Sequence, residues 1–394
     1  MSIRSGFTAW IRVKHFCVNT EEEFNVESIH LGQLNYMSWI MGAHRHQSSL
    51  DGKPRWRFHT DGAVWSSPTI VDGEIYFGSD DGCVYAVDEL SGTKLWSHET
   101  EGSVRSSPSV VDGTLYIGSY DGSLYAIDTA NGSCQWKFET KGGIRSSPTI
   151  SEETLFVGSN DTKIYAIDIN NGKKIWDFET GHNIWSSPTV VDQTVFIGSK
   201  DDCLYALDTS SGELKWRYQT NGRIEASPSV KGDSVLCANY VGEVISIERG
   251  SGEKNWQYET KNQIRSSPTS NEQLTFIGSD DGKLHAIDTA TGAFEWTAET
   301  GAHIHSSPTL VDRTVFVGNH AGKIFAFDSV SGEKRWTCSV GDKISSSPTV
   351  ADGILYIGDR GTSSLHAIKE EAGSSSGSRV LNTTLGHHTK DTSR

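Results

Sequence analysis

One spacing limits what this chain can fold into more than any other feature. Tryptophan recurs at Trp56, Trp96, Trp136, Trp176, Trp216, Trp256, Trp296 and Trp336, forty residues apart each time. Proline keeps the same step at Pro68, Pro108, Pro148, Pro188, Pro228, Pro268, Pro308 and Pro348. A fixed period of this size means a solenoid, a propeller or another array of stacked units. Within residues 106–140, β-rich runs at Val110–Val111, Leu115–Ile117, Leu124–Ile127 and Trp136–Phe138 alternate with the turn pairs Asp112-Gly113, Asp121-Gly122 and Asn131-Gly132. Asp-Gly and Asn-Gly supply the positive φ of tight hairpins, so each unit reads as four strands of one antiparallel sheet. Runs such as "LYIG" are apolar on both faces, which calls for a neighbouring sheet on each side. Helical repeats do not fit: Gly and Pro punctuate every unit and nothing recurs at helical spacing.

Four-stranded sheets at this period predict an all-β fold, a single eight-bladed β-propeller of antiparallel blades over residues 53–370. The ends support the count. The first Trp strand, "KPRWRFHT" at 53–60, has no earlier three strands, and the last unit, 344–368, lacks a Trp strand. Pairing the two completes the eighth blade and removes exposed edges. Residues 1–52 form an N-terminal extension with no assigned fold. The Ser/Gly-rich stretch 371–394 is expected to be a disordered tail.

The stretch "AIDTANGSCQW" at 126–136 recurs as "AVDELSGTKLW" (86–96), "AIDINNGKKIW" (166–176), "ALDTSSGELKW" (206–216), "AIDTATGAFEW" (286–296) and "AFDSVSGEKRW" (326–336). It resembles the tryptophan-docking motif of the pyrroloquinoline quinone (PQQ) propeller-repeat family. The resemblance implies that each Trp packs against the adjacent blade and locks the ring. The fifth unit departs from it, with Ser246 and Glu248 in place of Ala and Asp. The family includes eight-bladed dehydrogenases that use PQQ with calcium. It also includes non-enzymatic members: the lipoprotein of the outer-membrane barrel-assembly machinery, and sensor domains attached to kinases.

Three function classes are therefore open: a binding or scaffold ring, a PQQ-dependent dehydrogenase, or a sensor module. The dehydrogenases that the resemblance brings in carry long insertions and a disulfide between adjacent cysteines. Here the period never breaks before the final blade, and the cysteines (Cys17, Cys83, Cys134, Cys203, Cys237, Cys338) are never adjacent. They form no CxxC, so neither a disulfide framework nor a zinc site is expected, but buried or half-buried thiols are. PQQ stays a cofactor by resemblance alone, and no catalytic or metal-binding residue is assigned. The net charge of −15 disfavours nucleic acid as a partner. No run of about 18 apolar residues is present to span a membrane, and no secretory signal is read at the N-terminus as given, where Met37 or Met41 are alternative starts; a cytoplasmic location is expected, and the closed ring is expected to be monomeric.

Two recurring features invite chemistry. Serine pairs such as Ser106–Ser107 would be nucleophiles only with a base and an oxyanion site; eight near-copies indicate hydroxyls that satisfy the inner strands. The "SDDG" turns at 79–82 and 279–282 lack the full ligand series of a calcium loop. The residue before "SSP" is different. Its neighbours are constrained, Val or Ile before it and Ser after it in every unit but the one with Ala226, yet it reads Trp65, Arg105, Arg145, Trp185, Glu225, Arg265, His305 and, in the last unit, Ser345. It falls where the chain crosses from one blade to the next, so these side chains are expected to ring one mouth of the central channel. Arginines offer bidentate hydrogen bonds and tryptophans offer stacking, which suits a protein partner or a small anionic ligand. The alternative is ordinary variation at a surface loop.

Overall fold

The computed structural model of the protein describes residues 53–369. The N-terminal extension, the polar tail and Cys17 lie outside the described residues. Among these residues every regular element is a strand, and each blade is a four-stranded antiparallel sheet, in sequence order for seven of the eight. The first blade consists of β2 (Thr69–Val71), β3 (Glu74–Gly78), β4 (Cys83–Asp88) and β5 (Lys94–Glu99). Blades two to seven follow over 109–139, 149–179, 189–219, 229–259, 269–299 and 309–339. The eighth combines β30 (Thr349–Ala351), β31 (Ile354–Asp359) and β32 (Ser364–Lys369) with β1 (Lys53–His59), which pairs with β32 and sets Trp56 opposite Ala367. β2 also lies against β30, so the ring closes through its inner strands.

The core lies between blades, which explains why the middle strands are apolar on both faces. The second strand of blade two, Thr114–Gly118, is buried along its whole length. One cluster joins Phe156, Ile164 and Ala166 of blade three to Val195, Ile197 and Leu207 of blade four. The serine pairs do structural work at the axis. The Ser67 amide donates to Ser107 Oγ, and the relation repeats through Ser147, Ser187, Ser227, Ser267 and Ser307 to Ser347, whose amide donates to Ser67 Oγ. The bonds form a closed circle, each worth about 1 kcal/mol net. The preceding serine serves its own blade: Ser106 Oγ accepts the Gly118 amide at 3.2 Å.

On the outer strands, each indole reaches into the next blade. Trp96 Nε1 donates to the Thr129 carbonyl, Trp136 to Ile169 and Trp216 to Arg249. The Trp96 ring covers Gly132, where φ is +74° and a Cβ would sit 2.7 Å from the indole, so only glycine serves there. Trp176 and Trp256 are 8 % and 9 % exposed, whereas the other six are half-buried. Cys203 and Cys237 are buried, but Cys134 is exposed, contrary to expectation, because it faces outward on an outer strand.

Candidate functional site

Each crossing loop carries the variable residue between two fixed anchors. In the second crossing, Val104 and Ser106 are fully buried and Arg105 between them is not. Alternation along extended backbone then turns Arg105 the opposite way, toward the channel mouth. The same anchors flank the other positions, as at Ile144 and Ser146 around Arg145. Trp65, Arg105, Arg145, Arg265, His305 and Ser345 line one cavity of about 80 Å³. Trp185 and Glu225 stand outside that lining. They are tied to it by Arg145, whose guanidinium carbon lies 4.0 Å from the Trp185 ring centroid, and by Arg265 at 4.0 Å from Glu225.

A second ring, missed in the sequence, interleaves with the first. It comes from the hairpin between the second and third strands of each blade: Asp80, Tyr120, Asn160, Lys200, Tyr240, Asp280, His320 and Arg360. Asp80 accepts from Trp65 Nε1 at 3.0 Å and from Arg105 Nε and Nη2 at 2.7 and 3.0 Å. Arg105 also lies over Tyr120. Asn160 Oδ1 accepts from Trp185 Nε1, and the Lys200 ammonium sits 2.9 Å from the Trp185 centroid and 3.4 Å from Glu225. Arg265 Nη2 donates to the Tyr240 hydroxyl, His305 Nε2 meets Asp280 at 2.9 Å, and His320 and Arg360 share Ser345 Oγ. The signal was present, since this position also steps by forty and also varies. It sits beside turn residues, and variation in a turn reads as loop chemistry.

The variable residues take part in a polar network at the mouth, half-buried except for Glu225, which is buried. Glu225 is the most enclosed, its side chain 4 % exposed, with Arg223 at 3.0 Å and Lys200 and Arg265 nearby. Both its oxygens are buried and lack a well-aligned hydrogen bond. Burial lowers the pKa of Lys200 in spite of Glu225. Burial also lowers that of Arg145, and of Arg360, which has neighbouring guanidiniums as well. For Arg105 burial works the same way, but the hydrogen bonds to Asp80 override it and raise the pKa. His320 is pushed down to about 3, by burial first and then by His305. For Lys200, Arg145, Arg360 and His320, desolvation outweighs the anions nearby and disfavours the charged form.

Neither calcium nor PQQ fits the residues present. Asp81 Oδ1 accepts the Cys83 amide, and Oδ2 accepts from Asp61 N and Tyr85 OH, so the "SDDG" carboxylate at 79–82 is already engaged. No cluster of His, Cys, Asp and Glu among the described residues could hold a metal ion. Arg105 and Arg360 lie against Trp65, and Arg145 and Lys200 against Trp185, so cations rather than open space meet the indoles. The cavity also falls well short of the roughly 300–1,000 Å³ that small-molecule sites offer.

The comparisons agree with this fold. The family model described as outer membrane protein assembly factor BamB matches residues 47–111, 80–185 and 177–376. Among solved structures, BamB from Moraxella catarrhalis superposes with a TM-score of 0.71 at 20 % identity, over 80 % of this chain and 99 % of that one. The computationally designed Ika8 protein gives 0.71 at 16 % identity, over 82 % and 99 %. No curated protein matches the sequence.

Proposed function

We propose a binding role from one premise: the chain belongs to the family of the outer membrane protein assembly factor BamB. In this reading the ring is a rigid, non-enzymatic scaffold that holds a partner protein at the channel mouth. The observation that carries it is the interleaved belt of cations, indoles and carboxylates. Its constant neighbours are spent on the circle of serine hydrogen bonds, while its variable side chains meet at an opening too small for an organic cofactor. Side chains that are enclosed, rich in Arg and Trp and flanked by rigid strands are what protein hot spots use. A dehydrogenase is not favoured, because no group at the mouth is set up as a base beside a free substrate space. A cytoplasmic setting stays a proposal from the N-terminal sequence, and cell fractionation tests it.

Photo-reactive residues test the face. One placed at Lys141 or His182, exposed beside the mouth, should cross-link to a discrete partner in cells. One at Ala130, exposed at the opposite end of the blades, should not. Cross-links from Ala130 alone would move the site, and dye reduction after adding PQQ and calcium would replace the scaffold with an enzyme.

A further inference from the structure

The basic side chains of the mouth are unequally matched. Arg105 is paired bidentately with Asp80, His305 with Asp280, and Lys200, Arg223 and Arg265 gather around Glu225. Arg145 has no such partner. It lies 4.0 Å from the centroid of Trp185 and 5.8 Å from that of Trp65, with no ion pair or hydrogen bond among the described residues. Arg360 lies 3.5 Å from the Trp65 centroid, its Nε is buried without a hydrogen-bond partner, and among the described residues its guanidinium makes one hydrogen bond, at 3.4 Å to Ser345 Oγ. Two guanidiniums therefore flank one indole beside the same small cavity, with cation–π contact as their main compensation.

We infer that the Trp65–Arg145–Trp185 side of the mouth receives a carboxylate side chain from an acidic segment of the partner protein. The proposal rests on the mouth being the binding face. Planar guanidiniums without a carboxylate are under-satisfied donors, and a carboxylate is the group the ring itself supplies to its other cations. The cavity of about 80 Å³ has room for a carboxylate and its methylene but not for a ring system. The rest of the chain is acidic, at −15 overall, so an acidic segment is repelled elsewhere and held in one register at the mouth. Blade three leaves the place open. By the forty-residue repeat, Asn160 stands between Arg145 and Trp185 as Asp80 stands between Trp65 and Arg105, but it brings an amide where Asp80 brings a charge.

Calorimetric titration of the full chain with an acetylated hexaglutamate amide tests this, with hexaglutamine, glutarate and inorganic phosphate as parallel ligands. Hexaglutamate should bind, more weakly as salt rises, and hexaglutamine should not. Arg145→Gln should weaken hexaglutamate at least tenfold. Asn160→Asp, which supplies the missing carboxylate internally and leaves every arginine in place, should do the same with an unchanged melting temperature. Equal binding of hexaglutamine, or hexaglutamate affinity unchanged in Asn160→Asp, would overturn the assignment. Glutarate or phosphate binding as tightly as the peptide would also overturn it, in favour of a free-anion site. Cross-links from Lys141 without hexaglutamate binding would remove the carboxylate and keep the face; losing both removes both.

Discussion

The mouth has two unlike halves built on one repeat. Around blades four to six, Glu225 sits at the centre of Lys200, Arg223 and Arg265 and is almost wholly enclosed. Around blades eight, one, two and three, Trp65 sits at the centre of Arg105, Arg145 and Arg360, and only Arg105 has its own carboxylate. The same backbone position thus carries a carboxylate on one side and an indole on the other. An indole face attracts cations but leaves their N–H donors free, whereas a carboxylate engages their charge. The first half is closed electrostatically by the chain itself; the second has a carboxylate for Arg105 and none paired with Arg145 or Arg360 among the described residues.

The largest effect expected from this contrast is on stability. Glu225→Gln keeps the shape and removes the one anion facing three cations in an enclosed site. Removing one member of a buried charge cluster typically costs about 3–5 kcal/mol. Lys200, Arg223 and Arg265 are partly exposed, so a loss of about 3 kcal/mol in denaturant unfolding is expected. A change near zero would mean that solvent reaches this half as freely as the other, and the contrast would fall.

Acid should separate the halves next. His320 lies beside His305 near the Arg360 edge and is held neutral, its pKa pushed down to about 3 by burial first and then by His305 and Arg360. An ordinary histidine titrates near 6.5. Between those values the unfolded chain takes up a proton that the folded chain refuses. The stability contributed by neutral His320 is therefore full above pH 6.5 and declines as pH falls toward 3. Most carboxylates titrate below about pH 4.5, so the interval from 6.5 to 4.5 isolates the histidine part. The melting temperature of the wild type should fall through that interval more steeply than that of His320→Gln. Parallel curves would show that His320 protonates in place.

How much of this was legible follows from what repeats and what does not. The ring, the blade number and the closing role of residues 53–60 were readable, because Trp and Pro keep one spacing and β1 has no other blade to join. The ring of variable residues before "SSP" was readable too, since a free letter between fixed anchors shows itself. Its partners at Asp80, Lys200, Asp280 and Arg360 were not. A turn residue that varies looks like exposed loop, and only the packing of the hairpin against the next crossing loop brings Asp80 to Arg105, 25 residues on. Burial of the tryptophans was legible only in part. The outer strand leaves six of the indoles half-buried, and what encloses Trp176 and Trp256 is local packing.

Asp80 gives the smallest and sharpest comparison, because it is the carboxylate of the open half. Its pair with Arg105 is 19 % and 30 % exposed, so solvent screens it more than Glu225. Asp80→Asn can still accept the Trp65 indole N–H through its amide oxygen, but it loses the charge toward Arg105 and the acceptor for Arg105 Nε. The expected stability loss is about 1 kcal/mol or less, the usual range for pairs that water reaches. Freed from Asp80, Arg105 joins Arg145 and Arg360 as a cation in want of an anion. Hexaglutamate should then bind two- to fivefold more tightly, about 0.4–1 kcal/mol. The two changes must run in opposite directions, with stability down and affinity up. A variant that loses both would make Asp80 a support for the binding surface, and one that loses neither would place the anion nearer Glu225.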